Sequence, residues 1–302
     1  MKTSPLAGRR LLPRLALLGA TFVWGTTFVV IQRAIVDLPV LHLIAIRFTL
    51  ASLLLLPLAR GTRLTRSLLR DGLVIGGLLF SGFVLQTSGL LWTTPSRSAF
   101  LTGLSVLLVP FLGRFAGRPL HRGPVAGSLC AALGLWVLYR PETGSAPFNR
   151  GDVLTIICAA IFALYVLAVE GAVRRHGVRS LAVLQFSTVA VLSLPSLLFQ
   201  PPRAEEFTPY AIGAILVTGV LGTALAFLCQ LYAQRHLSAI EAGVIFTLEP
   251  VIAAAVSVVL GIEPWTMALS LGGLLIVAAM LITELWGGPE DVAPAAAATP
   301  RS

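Results

Sequence analysis

Long runs of apolar residues alternate with short polar connectors along almost the whole chain. Ten of these runs approach the roughly 20 residues that an α-helix needs to cross about 30 Å of hydrocarbon. The runs are continuous, without the polar and apolar alternation of a membrane β-barrel. We therefore predict an all-α membrane protein with ten transmembrane helices, at about 15–32, 39–59, 72–91, 98–113, 123–139, 152–169, 180–199, 209–230, 237–260 and 266–286.

The composition of the chain agrees with this pattern. Of 302 residues, 56% are hydrophobic and only 12% are charged, whereas a soluble surface carries roughly a quarter to a third of charged positions. Soluble enzymes and nucleic-acid binders are therefore excluded first. The cysteines lie inside predicted spans at no metal-ligand spacing, and no phosphate-binding glycine loop with a lysine is present. We predict no cofactor, no metal and no ATPase of its own.

The basic residues are distributed unequally between the two ends of the predicted helices. With the N-terminus inside, sixteen of the 22 Lys and Arg residues fall on the inner side, five fall on the outer side, and Arg47 lies within a span. Short loops rich in Lys and Arg stay in the cytoplasm. The net charge of +9 therefore reports topology, and we predict a bacterial-type inner membrane protein with both termini cytoplasmic, as a monomer or a dimer.

The two ends of the chain are short polar segments. The basic start followed by an apolar run resembles a signal peptide, but no small-residue cleavage site follows, so we predict a first transmembrane span instead. Residues 1–14 are then a cytoplasmic N-terminal segment. The stretch 287–302, GGPEDVAPAAAATPRS, has too little apolar periodicity to fold, and we predict a disordered cytoplasmic tail.

The second half of the chain repeats the first. RFTLASLLLLP at 47–57 aligns with QFSTVAVLSLP at 185–195, an offset of 138 that also places Trp24 on Phe162, and FVLQ at 83–86 aligns with FLCQ at 227–230 at an offset of 144. Each half, 15–140 and 151–286, holds five predicted spans. Because five is odd, the second copy enters the membrane from the opposite side. Such inverted repeats are typical of secondary transporters with a site near the midplane.

Several short motifs in these repeats resemble a known family. The motifs that carry the resemblance are Trp24-Gly25, Arg47-Phe48, and Leu248-Glu249-Pro250 followed by Gly261-Ile262-Glu263-Pro264. With them the chain resembles the EamA branch of the drug/metabolite transporter superfamily over about residues 15–286. This resemblance implies a ten-helix inner-membrane carrier with a central cavity, often an exporter of amino acids, metabolites or drug-like compounds. The first copy departs from the pattern, with Ser105 where the second has Pro250 and Gly117-Arg118-Pro119 in place of a Gly-Glu-Pro turn.

Two charged residues fall near the middle of predicted spans, where burying a charge in lipid is costly. Arg47 could contact an anion or carboxylate, or could stabilise the bundle by binding helix-end carbonyls. Glu249 precedes Pro250, which cannot donate a backbone hydrogen bond, so its carboxylate could bind a proton, a cation or a substrate ammonium group. The structural alternative for Glu249 is a pair with Arg47 or a hydrogen bond to a glutamine.

Polar and aromatic residues recur at equivalent positions of the two copies. Amides that faced lipid would lack partners, so the helix faces that carry them are expected to point inward. As cavity lining, aromatic rings beside amides suit an amphipathic small molecule, although simple interhelical packing is the alternative for each side chain. The predicted substrate-binding residues are Trp24, Thr27, Arg47, Phe83, Gln86, Phe162, Tyr165, Phe227 and Gln230, with Glu249 as the coupling residue. The glycine pairs Gly72/Gly76, Gly113/Gly117 and Gly123/Gly127 predict close helix packing.

These features predict a secondary transporter of small metabolites that exports them by alternating access. Proton coupling through Glu249 and uncoupled facilitation both remain open. A nucleotide-sugar carrier would need several inward basic residues, and only Arg47 qualifies. A membrane enzyme acting on lipids would need clustered polar residues at one interface, which the sequence does not contain. We therefore predict no enzyme activity; the expected partners are a small-molecule substrate, the bilayer and, under the coupled hypothesis, protons, but no nucleic acid.

Overall fold

The computed structural model describes residues 5–61, 63–115, 117, 120–138, 147–237 and 239–286. Throughout these ranges the chain is helical, joined by short connectors. The α-helices, in chain order, are α1 (Pro5–Asp37), α2 (Val40–Leu55), α3 (Arg66–Gly89), α4 (Pro95–Phe115), α5 (Arg122–Leu138), α6 (Arg150–His176), α7 (Val178–Phe199), α8 (Pro209–Leu216), α9 (Ala226–His236), α10 (Ala239–Phe246), α11 (Leu248–Val259) and α12 (Met267–Leu285). Short 3-10 helices, Leu56–Ala59 and Ala204–Glu206, follow α2 and α7.

Polar side chains fix where several helices begin. Thr65, Thr208 and Thr266 each accept a hydrogen bond from the backbone N–H three residues ahead, at 3.1 to 3.2 Å. Asn149 and Asp152 form a reciprocal capping box at the start of α6. Such caps satisfy N–H groups that the first turn of a helix leaves without partners. The helix starts are therefore encoded locally, by residues in the connectors.

Glycines with positive φ set the reversals between helices. Gly177, the single residue between α6 and α7, has φ +81°, and Gly117 and Gly261, at equivalent places of the two copies, have φ +81° and +68°. Only glycine adopts this backbone conformation without strain. The predicted packing role of Gly117 is therefore wrong: it lies in a turn with no neighbouring atom within 4 Å of a built Cβ. Arg118 and Pro119, which follow it in the predicted turn, lie outside the described residues.

The prediction of a helical membrane protein is confirmed. In the described part of the chain, eight helical segments are long and apolar enough to cross a membrane, and two shorter apolar helices, Arg122–Leu138 and Met267–Thr283, lie at the fifth and tenth predicted spans. The helix α1 begins at Pro5, earlier than the predicted first span. Residues 1–4 and the predicted tail 287–302 lie outside the described residues.

Helices of the first half pack mainly on helices of the second half. The helix α2 packs on α7 and α5 packs on α12, while α6 contacts both α3 and α4, and α1 contacts both α9 and α11. Glycine permits several of these close approaches, since Gly72 faces Leu184 and Gly76 faces Thr188. The packing predicted for these two glycines is confirmed. The halves are thus interleaved around a shared interior.

Two predicted spans are irregular. The eighth consists of α8, a π-helix over Val217–Leu225 and α9, without interruption. The ninth consists of α10 and α11, separated by Thr247. Pro250 lies in the first turn of α11, and its missing N–H leaves the carbonyl of Phe246 without the usual partner. Both irregular places lie beside the candidate site.

Candidate functional site

A cavity lies inside the bundle, between helices of both halves. It encloses about 720 Å³ of space free of atoms, its open side included. All ten residues that the sequence singled out line it: Trp24, Thr27, Arg47, Phe83, Gln86, Phe162, Tyr165, Phe227, Gln230 and Glu249. The structure therefore brings together side chains from helices that are far apart in sequence. Their roles in binding and coupling stay predictions.

Arg47 reaches this cavity from α2 while only 2% of the residue is exposed. Its Nε donates a hydrogen bond to Thr223 Oγ1, and its Nη2 lies 3.5 Å from the carbonyl oxygen of Gly222. Its Cζ is 4.6 Å from the ring centroid of Phe83, a cation–π arrangement. None of the described carboxylates lies within ion-pair distance of Arg47, so the guanidinium charge is held by neutral groups only.

The π-helix explains how Thr223 and Gly222 reach Arg47. The Thr223 hydroxyl donates to the carbonyl of Thr218, five residues earlier, at 2.8 Å, while the same oxygen accepts from Arg47. The Gly222 carbonyl also accepts a 2.8 Å hydrogen bond from Trp24 Nε1. A π-segment shifts the register of the backbone and is frequent at functional sites. Here it aims backbone and side-chain acceptors at a buried arginine.

Glu249 lines the same cavity from the first turn of α11. Its side chain makes no hydrogen bond or ion pair with any residue that the structure describes. The structural alternative raised from the sequence, a pair with Arg47 or a hydrogen bond to a glutamine, is therefore wrong for the described residues. The cavity thus carries one guanidinium and one carboxylate that do not neutralise each other. Such a pair of sites can bind a solute with opposite charges or exchange a proton.

The two cavity glutamines differ in their partners. Gln86 Nε2 donates to Thr102 Oγ1 at 3.2 Å, which ties α3 to α4. Gln230 Oε1 is buried and has no hydrogen-bond partner. Since buried polar atoms are nearly always paired in proteins, Gln230 is left with an acceptor available to a bound solute.

Aromatic rings form the wall between these polar groups. Phe227 occupies its centre, with ring centroids 4.9 Å from Trp24, 6.0 Å from Phe83 and 6.3 Å from Tyr165. Phe162 packs edge-on against Phe83 at 5.7 Å. The Tyr165 hydroxyl donates to Gln185 Oε1 at 3.0 Å, and this glutamine occupies the place of Arg47 in the second copy. The wall suits an apolar or aromatic part of a solute.

The sequence interpretation missed several apolar lining residues. Phe28 and Ile31 continue the cavity face of α1, and Phe246 packs on Trp24 with centroids 5.9 Å apart. Phe28 and Ile31 lie four and seven residues after Trp24, so the helical stripe predicts their side. Thr223 and Gln234 lie four residues before and seven residues after Phe227; they are buried but do not line the cavity. The hydroxyl-bearing residues Thr102 and Ser105 also line the cavity, whereas Thr247, between α10 and α11, does not.

The described residues include no group of three or more His, Cys, Asp or Glu side chains placed to hold a metal ion. The described side chains that line the cavity offer one carboxylate, one guanidinium, amides, hydroxyls and aromatic faces. Groups of this kind are suited to an amphipathic solute.

Comparison with known proteins places this fold in a family. The model of the EamA-like transporter family matches twice, over residues 12–140 and 149–285. An uncharacterized transporter of Archaeoglobus fulgidus is 30% identical over 278 residues, which cover 92% of this chain and 87% of that protein. A crystal structure with 23% sequence identity has the same fold, with a TM-score of 0.69, and the match covers 90% of this chain and 96% of the other.

A helical membrane protein with an internal cavity, matched in both halves by one transporter family, is a membrane transporter of the drug/metabolite transporter type. The chain belongs to the EamA-like transporter family. The resemblance stated from the short motifs is confirmed. The family points to a transporter rather than an enzyme, in a lipid bilayer and with small-molecule substrates.

Proposed function

We propose that this protein is a secondary transporter that exports small amphipathic metabolites by alternating access, with the cavity as its substrate site. The observation that carries the proposal is the convergence of residues from both halves on one cavity, including the unneutralised pair Arg47 and Glu249. The charges favour a solute that bears a carboxylate or an ammonium group, and the aromatic wall favours one with an apolar part. A nucleotide-sugar carrier is disfavoured because, among the described side chains that line the cavity, Arg47 is the one basic residue.

The proposal includes ten spans arranged as two inverted repeats, 15–140 and 151–286. In that arrangement the α8, π and α9 segments form one span, α10 and α11 form another, and α5 and α12 also cross the membrane. The helix contacts support it: α2 and α7, and α5 and α12, pack on their own repeat partners. The contacts of α6 with α3 and α4 correspond to those of α1 with α9 and α11. Inverted repeats allow inward-open and outward-open forms to be near mirror images.

Cross-repeat ion pairs support two alternating gates. At one end Arg97 Nη2 lies 3.1 Å from Asp152 Oδ2, and at the other Arg14 Nη2 lies 3.2 Å from Glu241 Oε1. The repeat offsets of 138 and 144 place Arg14 on Asp152 and Arg97 on Glu241. In the proposed cycle, each pair separates when its end of the cavity opens and re-forms when that end closes.

The proposed orientation is that of the basic loops, with both termini cytoplasmic in a bacterial-type inner membrane and the protein acting as a monomer. The Arg14–Glu241 pair is then at the cytoplasmic end. Labelling of single cysteines placed in successive connectors by a membrane-impermeant maleimide tests this orientation. Alternate connectors should react from outside. Two five-span blocks that point the same way would contradict it.

Within this proposal, Glu249 couples transport to protons. Substrates come first from a resistance screen in an overexpressing strain, with each hit checked by counterflow in proteoliposomes. An imposed pH gradient should then drive uptake by the wild type, and Glu249→Gln should abolish that response while counterflow persists. Glu205→Gln, the same change at an exposed carboxyl, is the control and should behave as the wild type.

The alternative to coupling is facilitated diffusion. If the wild type transports substrate down a substrate gradient but does not respond to a pH gradient, the transport is facilitated diffusion and is not coupled to protons. A full pH response in Glu249→Gln would remove the role of Glu249. If the wild type showed no counterflow with any compound from the resistance screen, transport through this cavity would be contradicted.

A further inference from the structure

A second concave site lies at the end of the bundle where α1 begins. It is a groove between the end of α2, the turn from α6 to α7, and α9, with about 1520 Å³ of free space, its open side included. We call it the arginine groove, because Arg60, Arg179 and Arg235 line it from three different elements. Arg60 belongs to the first half of the chain and the other two to the second.

These three arginines lack carboxylate partners in the part of the chain that the structure describes, and no acidic residue lines the groove. Other arginines at the same end are paired. Arg14 binds Glu241 at 3.2 Å, and Arg175 binds Asp71 at 2.7 Å. Like charges gathered in one groove repel each other and favour a bound anion. The three arginines are thus positive charges that the neighbouring ion pairs do not compensate, although His176 in the same groove contacts Asp71.

Part of the groove lining is apolar. Leu58, Val178 and Leu228 line the groove together with the arginines. One turn further toward the middle of the bundle, Leu54 on α2 and Leu225 at the end of the π-helix are 47% and 52% exposed, and these two elements pack against each other. A soluble anion would use the charges alone, whereas this surface also offers a path for hydrocarbon chains.

We infer that the arginine groove binds an anionic phospholipid, with the headgroup phosphate between Arg60, Arg179 and Arg235 and the acyl chains along the apolar lining and the exposed Leu54 and Leu225. Tyr232, which also lines the groove, offers a hydroxyl to the headgroup. Basic pockets between transmembrane helices at the cytoplasmic side are suited to such headgroups. The inference rests on the proposed orientation in the membrane, and it does not depend on the transported substrate.

A bound lipid would connect the two halves of the chain. The groove includes His176, whose Nε2 lies 2.9 Å from Asp71 Oδ2 on α3. The lipid would therefore lie beside the contact that holds α3 and α6 together at this end.

Thermal stability in detergent tests this binding without a transport measurement. The purified full-length protein is titrated with dioctanoyl-phosphatidylglycerol, with dioctanoyl-phosphatidylcholine and with glycerol 3-phosphate, and the shift in unfolding temperature gives an apparent Kd. We expect a saturable shift with phosphatidylglycerol alone. The triple variant Arg60→Gln, Arg179→Gln, Arg235→Gln should weaken it on the order of 100-fold, since each basic residue near anionic lipid contributes about five-fold.

A matched variant separates this site from general positive charge. Arg66→Gln, Arg114→Gln, Arg122→Gln removes the same charge from exposed arginines that do not line the groove, and should bind as the wild type. Lysine at the three groove positions keeps the charge and should restore most of the affinity.

Three outcomes would overturn the inference. The two triple glutamine variants could lose the same affinity for phosphatidylglycerol, or the groove variant could keep the wild-type shift in unfolding temperature. Glycerol 3-phosphate could also shift the unfolding temperature as strongly as the lipid does. The last would identify a soluble-anion site. Because these measurements involve no transport, a failure of the proposed transport function would not change any of these three results.

Discussion

Arg97 and Asp152 form an ion pair that is buried on both sides, with side-chain exposures of 8% and 0%. The equivalent pair at the opposite end, Glu241 and Arg14, has the charges exchanged and is far more open, with exposures of 18% and 51%. Thr93 Oγ1 also donates to Asp152 at 2.6 Å. Two equivalent ion pairs at opposite ends of the bundle therefore differ greatly in burial.

This inequality predicts different stability losses for two similar substitutions. Arg97→Gln leaves the buried Asp152 without its cation, and breaking a buried pair costs about 3–5 kcal/mol. The hydrogen bonds that remain on Asp152 favour the lower end of that range. Glu241→Gln breaks a half-exposed pair, which contributes about 0–1 kcal/mol. Unfolding of the two variants in detergent should show a clear loss for the first and little for the second. Equal losses would contradict the unequal roles of the two pairs.

The cross-repeat pair at the N-terminal end also predicts a rescue by charge exchange. Arg14→Glu places two carboxylates together, so that end should close poorly and counterflow should slow several-fold. Adding Glu241→Arg restores an attractive pair, with the carboxylate at position 14 and the guanidinium at position 241. This is the arrangement of the equivalent pair Asp152 and Arg97, and the rate should recover. Arg66→Glu, an exposed change of equal charge at the same end, should leave the rate unchanged. A double variant as slow as Arg14→Glu would rule out a gating contact between these residues.

Much of the fold follows from sequence because lipid imposes simple rules. Helical apolar runs, polar caps such as Thr65 and Asn149, and the repeat offsets are local or periodic signals. The candidate site follows for a related reason: polar and aromatic residues such as Arg47, Gln86 and Phe227 have few stable alternatives to facing the interior. All ten predicted site residues line the cavity.

Features that arise from contacts between helices were not predictable in the same way. The π-helix over Val217–Leu225 is stabilised by Arg47 and Trp24, which lie on other helices. The sequence of this segment contains no signal that distinguishes it from a regular helix. The unpaired state of Glu249 is likewise a matter of geometry, because spacing alone allowed a pair with Arg47. The turn at Gly117 resembled a packing motif because small residues serve both purposes.

Adjacent glycines on α3 provide a matched test of helix packing. A Cβ built on Gly76 would lie 2.9 Å from the Gln185 carbonyl oxygen and closer still to Thr188, whereas one built on Gly77 has nothing within 4 Å. Gly76→Ala should therefore force α3 and α7 apart, at about 1–3 kcal/mol for overpacking. Gly77→Ala should be neutral or slightly stabilising, since alanine favours helix by up to about 1 kcal/mol. Unfolding temperatures in detergent measure both, and a loss of stability in Gly77→Ala would contradict the packing described for this face.

Substitution of Thr223 tests whether the orientation of the Arg47 side chain matters for solute binding. Thr223→Val keeps the shape of the side chain and the charge of Arg47 but removes the acceptor of its Nε–H. The guanidinium then loses its fixed direction, and KM for counterflow should rise several-fold with little change in maximal rate. Arg47→Lys should raise KM further, because an ammonium group lacks the planar donor fork. Thr26→Val removes a hydroxyl that bonds only to its own helix, to the Val23 carbonyl at 2.7 Å, and should leave KM unchanged. Equal KM values in Thr223→Val and Thr26→Val would show that Arg47 does not bind the solute through an orientation set by the π-helix.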